Sequence, residues 1–205
     1  MKKDLKNYLA HIAEKEIQQK LSAHKPKKVD ESELKPSAVL VPLVREDEGW
    51  QVLFTQRSNK VGAHKGEISF PGGVVEQGEN PLQAMLREVE EELGVKKEKI
   101  AILGELDEIF TITGFRIKPY VGILKTKEFA PNPDEIDRVL IIPLKNFLDP
   151  SRLKVEHWSR KGADYPVYFF ELDEAVVWGA TAKILKNFLE ILLGKKFEDL
   201  QIISL

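Results

Sequence analysis

The sequence predicts an α/β domain in which a mixed β-sheet is covered by helices, with an N-terminal helical extension. Strand-like runs are spread along residues 38–172, an amphipathic helix is signalled among them at 81–93, and another helix follows at 181–193. Strands grouped around a central and a C-terminal helix meet the requirement that a sheet bury its apolar face under another layer. With 205 residues and 42% hydrophobic content, the chain supports one globular unit with a real core. The expected division is 1–36 for the N-terminal helix and connector, 37–194 for the domain and 195–205 for a tail.

In chain order, Leu5, Leu9, Ile12, Ile17 and Leu21 recur near helical spacing among lysines and glutamates, so residues 3–22 read as an amphipathic helix. It is expected to pack on the domain or on a second subunit, an arrangement compatible with a homodimer. Its interspersed acids argue against a membrane-surface role. Residues 23–36 read as a polar connector. Ala38–Val44 and Trp50–Gln56, joined by the charged turn Arg45–Gly49, predict a hairpin. Asn80 suits a helix N-cap, Pro81 the first turn, Gln83 a capping box and Gly94 a left-handed stop, which bounds a helix at Pro81–Leu93. Leu82, Met85, Leu86, Val89 and Leu93 form its apolar stripe. Further β-rich runs lie near Ile100–Leu103, Phe110–Ile112, Ile117–Leu124, Val139–Ile142 and Val167–Leu172, and a last helix runs from Thr181 to Leu193 before Gly194.

Composition excludes several classes. There is no cysteine, so disulfides and thiolate metal sites are out, and His11, His24, His64 and His157 are too scattered for zinc spacing. A net charge of −2 gives no basic field for nucleic acid, although the first residues are lysine-rich. No apolar run approaches a membrane span, and the opening lysines are not followed by a signal-peptide segment. A soluble cytoplasmic protein, with no membrane or nucleic-acid partner, is the expectation.

Residues 73–95 carry the chemistry, with six carboxylates and one arginine around the predicted central helix. At about 100° per residue, Glu88, Glu91 and Glu92 fall within an arc of about 100° and Glu90 points away. Like charges at these spacings weaken an isolated helix by a few tenths of a kcal/mol per pair. A divalent cation compensates for this, and carboxylate oxygens without sulfur suit Mg²⁺ or Mn²⁺, which complete their shells from water and substrate phosphates. A bare acidic run more often reads as a solvated helix face. Here a glycine and an acid stand at fixed offsets upstream, an arginine directly before the run and a Gly-aliphatic stop after it, which a solvated face does not require.

Written G-x5-E-x7-R-E-U-x-E-E-x-G-U, with U aliphatic, this stretch resembles the Nudix hydrolase signature at every specified position: Gly73, Glu79, Arg87, Glu88, Val89, Glu91, Glu92, Gly94 and Val95. The resemblance covers about residues 37–192 and implies the Nudix α/β/α sandwich and hydrolysis of a nucleoside diphosphate linked to a second group. It also implies Glu88 and Glu92 as the main metal ligands, with Glu91 bridging or holding a metal-bound water, and Arg87 and Glu79 pairing to orient the ligand carboxylates. The base lies either on this helix or on a later loop, where Glu135 in Asn132-Pro133-Asp134-Glu135 is the candidate. Independently of the family, Phe70-Pro71-Gly72-Gly73 forces an extended segment into a glycine turn, which lets the Gly73 main chain approach a metal.

Upstream, Leu53-Phe54-Thr55-Gln56-Arg57-Ser58, Gly66 and Phe70-Pro71-Gly72-Gly73 resemble the added motif of the coenzyme A pyrophosphatase branch, departing from it at Gly62, where many members carry a second arginine. Ile112-Thr113-Gly114-Phe115 and Val177-Trp178-Gly179-Ala180-Thr181-Ala182 add to the likeness. The substrate so implied is coenzyme A or a derivative, with ADP-ribose, NADH or another nucleotide as the alternative. A noncatalytic nucleotide-binding module would suit a broken acidic core, and this one is complete. Arg57, near a strand end, could grip a phosphate at two points. Lys60, His64 and Lys65 offer further positive charge for phosphate, against the ordinary reading of solvated loop residues.

Overall fold

The computed structural model describes residues 2–30, 33–60, 65–160, 162–197 and 199. Two short helices, α1 (Lys2–His11) and α2 (Glu14–Ala23), precede the long strand β1 (Lys35–Glu46) and β2 (Gly49–Arg57). Then come β3 (Ile68–Ser69), β4 (Gly72–Val74), helix α3 (Pro81–Leu93), β5 (Ile100–Glu105), β6 (Ile109–Phe110), β7 (Phe115–Leu124) and β8 (Ile136–Pro143). The chain ends in a meander of β9 (Leu153–Arg160), β10 (Ala163–Glu171) and β11 (Val176–Trp178), followed by α4 (Gly179–Leu193).

The main sheet is mixed. β1 is its axis: it runs parallel to β7, with Val39 opposite Pro119, and antiparallel to β2 and β4. β5 and β6 extend the sheet beyond β7, while β3 and β8 pair with β2. Side-chain alternation divides the core into two layers. Ala38, Leu40, Val44 and Leu53 pack on Met85, Val89 and Leu93 of α3. Val41, Leu43, Val52 and Phe54 face the other way, onto Leu9, Ile12, Ile17 and Leu21 of the N-terminal segment and Leu185, Phe188 and Leu189 of α4. Helices therefore cover both faces, giving the expected α/β/α arrangement. β9, β10 and β11 form a separate antiparallel sheet.

The N-terminal segment differs from the single helix expected. It breaks at Ile12–Ala13 into two helices of 10 residues each. Carbonyls at the break are diverted out of the helical ladder: Trp50 Nε1 donates to Ile12 O at 2.7 Å, and Arg45 Nη1 donates to Ala10 O at 2.9 Å. Gly49 makes this crossing possible. It adopts φ 120°, and a Cβ there would lie 2.4 Å from Ala10 O. The polar connector is also fastened down, since His24 Nε2 lies 2.7 Å from Asp107 Oδ1 and the amide of Val29 donates to Glu108.

The short strands β3, β4 and β11, and all of β9, went unexpected. β3, β4 and β11 have three residues or fewer, too short to show a period. β9 alternates only over Leu153–Glu156, and past Leu153 its apolar residues Val155 and Trp158 stay exposed, so it lacks the buried apolar face that makes a strand stand out. Among the described residues no helix is long and apolar enough to cross a membrane.

Candidate active site

The acidic helix forms with the predicted bounds. Asn80 Oδ1 accepts from the Gln83 amide at 3.0 Å and Gln83 Oε1 accepts from the Asn80 amide at 2.9 Å, closing the capping box over Pro81. Gly94, at φ 69°, ends the helix and donates to Glu90 O. Because the apolar stripe is buried against β1, the opposite edge of the helix turns Glu88 and Glu92 toward the β4 segment.

Arg87 organises one side of the cluster. Its guanidinium meets Glu79 at two points, Nη2 to Oε1 at 2.8 Å and Nε to Oε2 at 3.3 Å. Nη1 also donates to Glu88 Oε1 at 2.9 Å and to Glu91 Oε2 at 3.0 Å, and Nη2 to Val74 O at 3.2 Å. The Arg87 hydrogen bond, followed by the amide of Glu76, holds the Glu79 carboxyl below the usual range.

Glu88 and Glu92 are the unusual acids. The Glu88 carboxylate is pressed against Gly73, and half-burial pushes its pKa up despite Arg87, with Glu91 and Glu135 adding repulsion. Glu92 is only 2% exposed. Its Oε2 accepts from the Gly72 amide at 3.3 Å, and its Oε1 stands 3.7 Å from Arg57 Nη1. Burial raises it to about 8, opposed by Arg57 and by the Gly72 amide and reinforced by Glu88 and Glu135.

The later loop reaches the same place. The Asn132 amide donates to Glu92 O at 3.0 Å, the Asn132 side-chain amide to Glu135 Oε1 at 3.0 Å, and the Ser58 amide to Glu135 O at 2.7 Å. Glu135 is thereby tied to the ends of α3 and β2, within electrostatic range of both Glu88 and Glu92. Asn132 and the Gly72 amide were not singled out from the sequence. The turn-forming Asn-Pro-Asp-Glu string was the available signal for Asn132, whereas a main-chain donor leaves none.

The basic candidates separate. Arg57 lies in the cluster, with its Nε buried and unpartnered among the described residues. Lys60 turns to Pro133 O and Asp134 Oδ1 at 3.3 and 3.1 Å. Lys65 lies on the rim of an open cleft beside Gln56. His64, like Gly62, lies outside the described residues.

Among the described residues, no three acidic or histidine groups stand as a ready cage for an ion. Arg87 occupies one oxygen each of Glu88 and Glu91, and Arg57 stands against Glu92. The donor set nevertheless fits a hard divalent cation. Crowded carboxylates with raised pKa, one of them buried, are the groups whose ionised form such an ion restores, and Gly73 leaves room at Glu88 that any larger residue would fill.

Residues 34–164 match the NUDIX domain. A protein of Enterobacter sp. (strain 638) named "Uncharacterized Nudix hydrolase NudL" is 34% identical over 162 residues, covering 78% of this chain and 83% of the relative. A Photorhabdus laumondii protein of the same name is 32% identical over 162 residues, covering 78% and 86%. Among solved structures, a C. elegans Ap4A hydrolase binary complex is similar at 21% identity, covering 53% of this chain and 80% of that one, with a TM-score of 0.47.

Proposed function

The chain belongs to the Nudix family of hydrolases, and on that premise we propose that it splits the diphosphate linkage of coenzyme A or its derivatives, releasing 4′-phosphopantetheine and adenosine 3′,5′-bisphosphate. As a family member it is a pyrophosphohydrolase acting on nucleoside diphosphate derivatives with a divalent metal; coenzyme A and Mg²⁺ or Mn²⁺ are the specific choices proposed.

Glu88 and Glu92 would hold the ion, joined by Glu91 and the Gly73 carbonyl. When bound, the metal neutralises diphosphate charge and makes a water easier to deprotonate. Glu79 fixes the plane of the Arg87 guanidinium, and Arg87 in turn fixes Glu88 and Glu91. Water attacks one phosphorus, its proton passes to Glu135, and the phosphoanhydride P–O bond breaks to leave two phosphate monoesters. Arg57 grips a phosphate oxygen beside Glu92, and Lys65 adds positive charge on the approach, with Lys60 and His64 close to it in sequence.

The approach of Arg57 to the buried Glu92 carries this reading. It joins the Leu53–Ser58 segment, which bears the coenzyme A likeness, to the acidic helix in a single site. A Mg²⁺-dependent panel of coenzyme A, ADP-ribose, NADH and a diadenosine polyphosphate, with products identified by mass spectrometry, tests it. Coenzyme A is expected to give the highest kcat/KM. A clear preference for ADP-ribose or NADH would replace it as substrate, and no hydrolysis of any member would overturn the reading.

A further inference from the structure

Next to the acidic cluster, a cleft of about 590 Å³ opens between the end of β2 and the separate β9–β11 sheet. Its apolar wall consists of three rings from three strands. Phe169 and Trp178 stack with centroids 5.9 Å apart and planes 7° from parallel, and Trp158 leans on both at 6.3 and 5.9 Å. These rings do not close a core. Trp158 is 39% exposed, an unusual state for the largest apolar side chain unless something covers it.

The opposite wall is polar and runs into the catalytic cluster. Gln56 accepts from Arg138 Nε at 2.6 Å and donates to Gly66 O at 3.0 Å, while the Gly66 amide donates to Arg57 O. Gln56 and Arg57 are consecutive on β2 at an irregularity in its pairing with β8, where Gln56 lines the cleft and Arg57 reaches Glu92. Arg138 and Lys65 line the cleft with no carboxylate partner among the described residues, and Glu67 is the acid they outnumber.

From this juxtaposition we infer that the aromatic cleft is the subsite for the nucleobase of the substrate, which stacks on Trp158 while its phosphates pass Arg138 and Lys65 over the end of β2 toward Arg57. The inference rests on the diphosphate-hydrolase reading and adds to it the place where the nucleoside end lies. Flat π-faces recognise a base by stacking, sequence-tolerantly and at low conformational cost. Cations on the same rim with no carboxylate partner among the described residues favour an occupant that is aromatic at one end and anionic at the other. A purely apolar partner would leave Arg138 and Lys65 without a role.

Binding can be tested apart from catalysis. The full chain, treated with EDTA, is titrated with adenosine 3′,5′-bisphosphate and, as a baseless control, ribose 5-phosphate, using saturation-transfer NMR on the ligand protons. Trp158 is surface-exposed, so Trp158→Ala should fold, and Trp158→Phe keeps a stacking face. The expected result is a Kd for the bisphosphate raised about tenfold or more in Trp158→Ala and largely restored in Trp158→Phe, with ribose 5-phosphate binding equally to all three. In turnover, Trp158→Ala should raise KM for coenzyme A and leave kcat nearly unchanged. Equal bisphosphate affinity in Trp158→Ala and the parent would overturn the inference. So would unchanged affinity with a sedimentation coefficient falling from dimer to monomer, which would reassign the rings to a self-contact. Because no metal or turnover is involved, a chain that binds the base through Trp158 but hydrolyses no diphosphate would uphold the subsite and sink the reaction instead.

Discussion

Gly73 and Glu88 are in such close contact that a Cβ on Gly73 would lie 2.3 Å from the Glu88 carboxyl carbon. What it would meet is the far end of a flexible side chain, so the fold can yield while the carboxylate position cannot be kept. Gly73→Ala is therefore expected to fold with a Tm close to the parent's, yet to bind Mg²⁺ more weakly and lose at least about tenfold in kcat/KM, in line with the sensitivity of catalysis to small misplacements. Differential scanning calorimetry beside steady-state kinetics separates the two effects.

Glu92→Gln keeps the shape of the buried side chain and removes its charge. Turnover should fall by two orders of magnitude or more, on the order of what loss of a key electrostatic group costs, with folding intact. Unchanged kcat would remove Glu92 from the proposed ligand set.

The same residue predicts how stability responds to pH. In the folded, metal-free chain Glu92 titrates at about 8 rather than its ordinary 4.5, chiefly because it is buried. Between these values the folded chain keeps a proton that the unfolded chain has released. Its contribution is thus complete below 4.5 and is lost as the pH rises through about 8. With EDTA present, the Tm of the parent should fall relative to that of Glu92→Gln across this window, and Mg²⁺ added near pH 8 should raise the parent's Tm more than the variant's. Calorimetric titration with Mg²⁺ near neutral pH should also report proton release.

Arg57→Ala removes both the proposed phosphate contact and the cation facing Glu92. KM for coenzyme A is expected to rise and kcat/KM to fall by about tenfold or more, and Arg57→Lys should restore little because a point charge lacks the guanidinium fork. Identical kinetics in the variant and the parent would count against the site as drawn.

Gly49→Ala addresses stability alone. The substitution forces a side chain into a left-handed conformation and against the Ala10 carbonyl. The expected loss is about 2 kcal/mol or more, which for a chain of this size lowers Tm by roughly 4–8 °C. Activity at low temperature should be unchanged.

The parts legible from sequence are those where local chemistry and tertiary need agree. Helix α3 was readable at both ends because Asn80, Pro81, Gln83 and Gly94 each act within a few residues of where they stand, and its packing face follows from period alone. The β1–β2 hairpin and the long β7 were readable from β-rich runs. The break at Ile12–Ala13 was not, because its cause lies in Trp50 and Arg45, more than 30 residues away. In the site, the sequence picked out the acids and the Arg87–Glu79 pair but not the other contacts they make. The Gly72 amide on Glu92, the Asn132 side chain on Glu135 and the aromatic wall of Trp158, Phe169 and Trp178 all arise from chain crossings that no local pattern encodes. Lys60 illustrates the converse, since its charge was visible but its partner turned out to be Asp134.

The seating of Leu9, Ile12, Ile17 and Leu21 beneath the sheet bears on how this protein can be handled. A fragment trimmed to begin where the recognised domain begins, near residue 34, would retain every acid of the proposed reaction centre and still strip the underside of β1 and β2, leaving Val41, Leu43 and Val52 wetted. Such a fragment should aggregate rather than turn over substrate, so any minimal version must carry its leading helices along.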